Sequence, residues 1–258
     1  MNRLTRLGIA VCVGLLFCVG AVTVAAKDMV SVLWMVEVDI AKQNSFESAL
    51  VKHLALRKKA NDPWQWQTYR PVTGNHLNMY GIRACCFDWS AIDAYGKWSA
   101  ESNISDHWTR TVEKYVSRYE HYYTRLHPED SHWPEDLQPA MVGVTAFYVK
   151  PGGSPALYKG MKKMSALAKE GGWPRHWSWA SGVGGKPMLQ LVTPYQNYAA
   201  METPEEDFMA FLTKSLGSED QAMKLWNSFA SGYDKSVFTL YRHDPSLSMA
   251  EDNMVASK

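Results

Sequence analysis

Most of this chain is built from one long sequence pattern that occurs twice, with the second copy about 111 residues after the first. Trp66 corresponds to Trp177, and Gly74 corresponds to Gly185. Solenoid repeats have periods of roughly 20–50 residues, so a repeat of this length is a complete supersecondary unit. The chain is therefore predicted to fold as two copies of one unit. Other matching positions are Val38 with Val149, Phe46 with Leu157, and Leu50 with Met161.

Both copies have the same predicted order of elements, β-α-β-β-α-β. Short runs rich in β-branched and aromatic residues indicate strands, and apolar residues spaced three and four apart indicate helices. The first copy has predicted strands at Ser31–Val38, Trp64–Tyr69, His76–Cys86 and Tyr119–Leu126, a helix between Ser45 and Asn61, and a helical region at Asp88–Trp98 and Asp106–Arg118. The second copy has predicted strands at Met141–Val149, Arg175–Ala180, Met188–Val192 and Ser236–Arg242, and helices at Ser154–Lys169, Thr203–Leu216 and Glu219–Tyr233.

This element order is that of a ferredoxin-like unit, whose sheet carries helices on one face and is bare on the other. Two bare faces can bury each other. On the element order, the hydrophobic pattern and the repeat, residues 31–243 resemble the dimeric α+β barrel superfamily in its duplicated, single-chain form. The resemblance implies an α+β fold of two tandem ferredoxin-like units packed as a fused dimeric α+β barrel. It also implies a cavity, between sheet and helices or between the two sheets, lined by aromatic and a few polar side chains.

The chain divides into segments that differ in composition. Arg3 and Arg6 precede an apolar run that ends at small residues, which is typical of a secretory signal peptide. We therefore expect an exported protein, periplasmic or secreted, with no stable membrane anchor after signal cleavage. The predicted segments are a signal peptide at 1–26, the first ferredoxin-like unit at 27–127, a linker at 128–139, the second unit at 140–244 and a flexible tail at 245–258.

The charge of the chain restricts its partners. A formal net charge of +1 leaves no basic surface of the kind that binds nucleic acid, so no nucleic-acid partner is expected. The 11 Trp and 13 Tyr residues suit a protein whose partner is a small-molecule ligand, because large amphipathic rings often line ligand cavities. Homo-oligomers stay open, since the fused repeat removes one reason to dimerise without forbidding it.

Cys85 and Cys86 are the two cysteines that lie outside the predicted signal peptide. Adjacent residues of an extended strand point to opposite faces of the sheet. A disulfide between them needs a distorted backbone. We therefore predict a pair of small buried side chains, with intermolecular pairing as the alternative, and a fold that does not rely on internal disulfides.

Aromatic and histidine side chains on the second strand of each copy are candidate ligand-binding residues. One interpretation places Trp66, Trp177 and Trp179 in the core under the helices, and the other makes them an aromatic wall for a flat organic ligand. His176 and His53 join them because the copies differ there: Gln65 corresponds to His176, and His53 to Met164. Positions where the copies differ are where one copy can acquire a task, so a single active site is expected to be asymmetric.

Four further residues are candidate catalytic groups. His127 and His243 fall near matching strand ends, each close to a proline, and a histidine titrates near neutral pH. The spacing to the preceding arginine differs by one residue between the copies, so Arg125 and Arg242 are expected to face differently. Arg83 corresponds to Pro194, and Tyr69 lies on a strand face opposite Trp66. These groups suit proton transfer or charge stabilisation.

Three functional hypotheses remain. The first is a protein that binds, and in one version transforms, a small apolar or aromatic molecule, with no cofactor. The second is a haem protein of chlorite-dismutase-like architecture, in which a helical histidine such as His53 ligates iron. The third is a non-catalytic interaction or stress-associated scaffold, which an open pocket containing a histidine would disfavour. No metal site is predicted, because the histidines are scattered and no paired-ligand motif is present.

Overall fold

The computed structural model describes residues 28–249, so the predicted signal peptide and residues 250–258 lie outside the described range. No helix in the described range is long and apolar enough to cross a membrane. The first unit comprises β1 (Val30–Val38), α1 (Gln43–Lys59), β2 (Gln67–Pro71), β3 (Met79–Phe87), α2 (Trp89–Glu101), α3 (Ile104–Thr111) and β4 (Val116–Leu126). The second comprises β5 (Met141–Val149), α4 (Ser154–Glu170), β6 (Ser178–Val183), β7 (Met188–Tyr195), α5 (Phe208–Leu216), α6 (Glu219–Ala230) and β8 (Tyr233–His243).

The strands of 28–249 form a closed antiparallel barrel in the order β1-β3-β2-β8-β5-β7-β6-β4. Each unit supplies four neighbouring strands, and the two sheets join where β2 pairs with β8 and where β4 pairs with β6. The predicted fold class, an α+β fused dimeric barrel, is confirmed. Joining the two sheets edge to edge pairs strand edges that each unit alone would leave open.

The repeat is visible in the packing of the helices. α1 and α4 both have 17 residues and begin 111 positions apart. Their matching residues Phe46 and Leu157, and likewise Leu50 and Met161, are fully buried in two separate hydrophobic cores. Each core lies between one half of the barrel wall and the helices of that unit. The barrel interior is a third space, lined by the opposite faces of the same strands.

Two predicted element boundaries are wrong for reasons that lie in the tertiary structure. Val116–Arg118 was predicted to end a helix, but these residues begin β4, where Arg118 pairs with Glu37 of β1. Trp64 was predicted to begin a strand, but its backbone N–H donates to the Asp62 carboxylate at 2.9 Å instead of joining a ladder. Pairing with a distant strand, or capping by a nearby acid, overrides the local pattern.

The cysteine prediction is wrong. Cys85 and Cys86 are joined by a disulfide across a cis peptide bond, and their Cα atoms are 3.1 Å apart. A cis peptide brings neighbouring Cα atoms closer than the trans geometry on which the prediction depends. The first unit therefore does contain an internal disulfide.

The beginning of the predicted flexible tail is also not loose. Residues 245–249 turn back onto the first unit, where Leu247 and Met249 are buried in its hydrophobic core. Thr68 fixes this segment, since its hydroxyl donates to Leu247 O and its N–H donates to Ser248 Oγ. In the same way the linker after β4 packs on the second unit, where Trp179 N–H donates to Ser131 Oγ. The segment that follows each unit therefore packs on the other unit.

Candidate functional site

The barrel encloses a cavity of about 440 Å³ between the two sheets. It opens at the barrel end where β4 and β8 begin, beside the β2–β3 loop that carries His76. The wall combines apolar and polar side chains, and its apolar part includes residues of β1, β5 and β7. These residues are Leu33, Met35, Val144, Ala146 and Met188.

Three tyrosines supply the aromatic part of the cavity wall: Tyr122 on β4, Tyr148 on β5 and Tyr241 on β8. These tyrosines are not among the predicted site residues. A signal was present, because each lies on the strand face opposite the residues buried under the helices, and side chains alternate between the two faces of a strand. The predicted tryptophans lie on the opposite face, under the helices.

Charged groups surround the cavity mouth. Glu120 accepts a hydrogen bond from the Tyr122 hydroxyl at 2.6 Å. Burial, followed by this hydrogen bond, raises the pKa of Tyr122 to about 12, so the phenol stays protonated. Arg118 pairs with Glu120 at 3.0 Å, and Lys235 lies 4.9 Å from the centre of the Tyr148 ring. The mouth therefore carries charged groups, while the rest of the wall mixes apolar side chains with uncharged polar ones such as Thr124 and Gln190.

Deeper in the barrel, a polar cluster joins three of the four predicted catalytic residues. Tyr69 of β2 pairs with His243 of β8, and their ring centres are 5.2 Å apart. The His243 ring bonds Gln67 Oε1 through Nε2 at 2.7 Å. Gln67 in turn is the strand partner of Arg83 on β3. Gln67, Tyr69, Arg83 and His243 are called the floor cluster below.

The electrostatics of the floor cluster follow from burial. Burial lowers the pKa of the Arg83 guanidinium from its ordinary value, and the nearby Tyr69 phenol acts in the opposite direction. Burial likewise raises the pKa of Tyr69, which Arg83 partly opposes. Both groups therefore offer hydrogen-bond donors at neutral pH, a protonated guanidinium and an intact phenol.

The fourth predicted catalytic residue, His127, lies elsewhere. Its Nε2 is 3.0 Å from Ser181 Oγ, and its ring packs edge-on against Tyr158 of α4. The prediction that Arg125 and Arg242 face differently is wrong, since both are exposed on the outside of the barrel. The histidines differ instead: His243 continues the inward face of β8, while His127 follows Leu126 and packs against Tyr158 of α4. Burial lowers the pKa of His127.

The three tryptophans proposed as ligand contacts lie in the cores under the helices. Trp66 belongs to the first core, and Trp177 and Trp179 to the second. Each indole N–H has a protein acceptor, which is usual for a buried tryptophan. The acceptors are Asp62 for Trp66, the Asp130 carbonyl for Trp177 and Ser165 for Trp179. None of the three lines the barrel cavity.

His53 is fully buried and belongs to a polar network between α1 and α3. Arg57 Nε donates to His53 Nε2 at 2.8 Å, so His53 carries its proton on Nδ1, which lies 2.9 Å from His107 Nδ1. Arg57 also donates to the Asp62 carboxylate at 2.7 Å and to the Tyr95 hydroxyl. Desolvation, followed by Arg57 and His107, lowers the pKa of His53 to about 3. The network holds a neutral histidine in place.

His176 lies on a surface groove of about 450 Å³ next to Arg175. Its Nδ1 is buried without a hydrogen-bond partner among the described residues, and its ring lies 4.7 Å from that of His132. Arg175 donates to the carbonyl of Ala200 at 2.8 Å. The groove is separate from the floor cluster. Across residues 28–249, no group of three His, Cys, Asp or Glu side chains is placed to hold a metal ion.

Comparison with known proteins supports the fold. No protein-family model matches the chain, and no curated protein matches it. Among solved structures it is similar to a candidate monooxygenase from Lactobacillus acidophilus (TM-score 0.52, 10% identity, covering 84% of this chain and 94% of that one). It is also similar to a candidate monooxygenase from Fusobacterium nucleatum (0.53, 9%, 84% and 93%). A third is the chlorite dismutase of Candidatus Nitrospira defluvii in complex with imidazole (0.52, 7%, 84% and 92%). At these identities the likeness concerns the fold alone.

Proposed function

We propose that this chain is an exported α+β-barrel protein that binds a small molecule with an apolar or aromatic body in the cavity between its two sheets. The observation that carries the proposal is the cavity itself, about 440 Å³, with a wall that combines three tyrosines, apolar side chains and polar groups. Ligand sites in proteins commonly span roughly 300–1,000 Å³ and combine apolar walls with a few polar groups. The barrel interior has a volume in this range and presents both apolar surface and polar groups.

The cavity also bears on the scaffold hypothesis. A barrel that served only as a scaffold would gain stability by filling its interior, because empty space forfeits packing contacts. Instead the wall includes small side chains such as Ala146, and the mouth includes His76. An open pocket containing a histidine is the feature that disfavours a pure scaffold. Binding is therefore the activity proposed, and the chemistry of any reaction is left open.

The similarity to chlorite dismutases raises haem as a cofactor, but the donor residues do not fit it. Both ring nitrogens of His53 are engaged, one by Arg57 and the other by His107. In the second unit the helices contain no histidine. The space beneath those helices is filled by Phe147, Trp179 and Phe229. No step through haem is therefore proposed.

Export is part of the proposal and depends on the composition of residues 1–26. The Cys85–Cys86 disulfide agrees with it, since disulfides persist in oxidising compartments and are rare in the cytosol. Fractionating cells that produce the full-length chain tests this part directly. We expect the mature protein in the periplasm or the medium, with a new N-terminus near residue 27.

Ligand binding is tested with the neutral fluorescent probe N-phenyl-1-naphthylamine, whose emission rises in an apolar environment. We expect saturable binding to the mature protein. Ala146→Trp should abolish it by filling the cavity, because Ala146 lies in the wall. Ala94→Trp, the same substitution at an exposed position of α2, is the matched control and should leave binding unchanged.

Two results would contradict the proposal. One is the absence of saturable binding by the wild-type protein. The other is equal binding by Ala146→Trp and Ala94→Trp, which would place the probe on the outer surface. Circular dichroism of each variant checks that the fold is retained.

A further inference from the structure

Arg83 is a guanidinium inside the barrel with no acidic partner among the described residues. Its position on β3 pairs with Leu33 of β1 and Gln67 of β2, both of which face inward. None of the ion pairs formed within residues 28–249 includes it. Burial lowers its pKa, and Tyr69 is the titratable group that acts on it in the opposite direction. It nevertheless keeps part of its surface accessible, as expected for a side chain that faces an internal space.

Placing an unpaired cation inside a protein is costly. Buried charges are normally paired, because removing an ion from water is not compensated without a counter-charge. The fold itself does not require Arg83, since the corresponding position of the second unit is Pro194. Arg83 is therefore destabilising and occurs in only one of the two copies. This combination indicates that it has a function specific to the first unit.

The position of Arg83 connects it to the cavity. Leu33, its partner on β1, lines the cavity and is itself paired with Tyr122, another lining residue. On the other side of Arg83, β2 carries Tyr69 and then Pro71, and Pro71 also lines the cavity. The floor cluster does not itself line the cavity, but it lies on the same inward strand faces, next to residues that do.

We propose that Arg83 and Tyr69 form an anion-binding subsite inside the barrel, next to the cavity, and that the ligand is an organic carboxylic acid with an apolar or aromatic body. This inference rests on the proposed function, because it assigns a chemical class to the ligand of the same cavity. The carboxylate would supply the counter-charge that Arg83 lacks.

The chemistry of the donors favours a carboxylate. A guanidinium donates two parallel hydrogen bonds to a carboxylate, and such charge-assisted pairs are stronger than neutral ones. The Tyr69 hydroxyl adds a donor from the neighbouring strand. Gln67 Oε1 bonds His243 Nε2 at 2.7 Å and the Gln67 amide N–H donates to Met249 O at 3.4 Å, so these two residues hold the end of β8 and the segment after it in place. One guanidinium and one phenol match the two oxygens of a carboxylate better than the larger charge of a phosphate.

The test compares two probes with the same body, naphthalene-2-carboxylate and the neutral naphthalene-2-carboxamide. Each is used to displace N-phenyl-1-naphthylamine from the mature protein. A hydrogen bond to a charged group contributes roughly 1.5–3 kcal/mol, so we expect the carboxylate to bind about 10-fold or more tightly than the amide. Arg83→Met should remove that preference while keeping displacement by the amide. Arg125→Met, which removes an outward arginine paired with Asp28 at 3.0 Å, is the control and should leave the preference intact.

The possible failures are distinguishable. If N-phenyl-1-naphthylamine does not bind, the proposed function fails and the subsite fails with it. If it binds but the two naphthalene probes displace it equally, or if Arg83→Met keeps the preference for the carboxylate, the cavity stands and the anion subsite is refuted. If sodium phosphate alone displaces the probe as effectively as the carboxylate does, the subsite binds a free oxyanion. That result would refute the proposal that the ligand is an organic acid.

The melting temperature of the ligand-free protein gives an independent test of the anion-binding subsite. If Arg83 is an uncompensated cation kept for binding, Arg83→Met should raise the melting temperature. The carboxylate probe should raise the melting temperature of the wild type but not of Arg83→Met. A large fall in the melting temperature of Arg83→Met would show that Arg83 has a structural partner and would overturn the proposal.

Discussion

The buried histidine of the first unit makes stability depend on pH in a way that can be calculated. Arg57 donates to His53 Nε2, so protonating that nitrogen would leave two N–H donors facing each other without an acceptor. Burial, Arg57 and His107 lower the pKa of His53 from 6.5 to about 3. Below pH 6.5, His53 therefore binds a proton in the unfolded chain but not in the folded chain. Stability due to this residue is present above pH 6.5 and is lost as the pH falls toward 3.

The expected size follows from the two pKa values. One pKa unit corresponds to about 1.4 kcal/mol. Between pH 7.5 and pH 5.0, His53 alone should lower the free energy of unfolding by about 2 kcal/mol, since pH 5.0 lies about 1.5 units below the unfolded value. For a chain of this length, that change corresponds to a fall in melting temperature of about 4–8 °C.

The perturbation is His53→Met, because the second unit carries Met164 at the corresponding buried position. Urea unfolding followed by tryptophan fluorescence gives the free energy of unfolding of both proteins at both pH values. Burial also lowers the pKa of His121 and His127, which contribute in the same direction but equally in the two proteins. The wild type should lose about 2 kcal/mol more than the variant.

Equal losses in the wild type and His53→Met would refute this account of the network, whatever the baseline stability of the variant. A second reading does not depend on the variant's folding. The imidazole resonances of His53 in the wild-type protein should stay at their neutral positions down to about pH 4. A transition near pH 6.5 would show that Arg57 does not hold the ring neutral.

Other predictions concern packing and charge, and all are checked by urea unfolding at pH 7.5. A Cβ on Gly160 would lie 2.6 Å from the Cβ of Phe229, so Gly160→Ala should destabilise the second unit by about 1–3 kcal/mol, as overpacking does. Gly96, on the exposed side of α2, has open space around it, so Gly96→Ala should instead stabilise by up to about 1 kcal/mol; a loss there would contradict the reasoning. Asp62→Asn leaves Arg57 without its carboxylate and should cost about 3–5 kcal/mol, and a change below about 1 kcal/mol would show that the ion pair is solvated.

The architecture could be predicted because the sequence repeat shows that the chain contains two copies of one unit. Positions that correspond between the copies, such as Phe46 with Leu157 and Trp66 with Trp177, are buried in corresponding cores. Gly74 and Gly185 both have positive φ in hairpin loops, where a glycine meets little steric cost. These features depend on hydrophobic spacing and turn chemistry, which are local properties of the chain.

The candidate site could be predicted only in part. Mismatches between the copies and a strand end predict Arg83, Tyr69 and His243 only as separate candidates, and the structure places them together. Their meeting depends on the pairing of β2 with β8, two strands from different units, which no local pattern encodes. His127 was chosen by the same reasoning as His243 but faces the helices, because one residue of register reverses the face of a strand.

By itself, the sequence determined that the chain is a duplicated β-α-β-β-α-β unit with two helix-covered cores, because periodicity and repetition are properties of neighbouring residues. The tertiary structure decided which strand faces enclose the cavity, that tyrosines rather than tryptophans line it, and that residues 245–249 complete the first core. It also decided that Cys85 and Cys86 are bonded. These outcomes depend on which edges pair across the two units and in what register. That choice is made by burying two sheets against each other, and it brings together residues as far apart in the chain as Arg83 and His243.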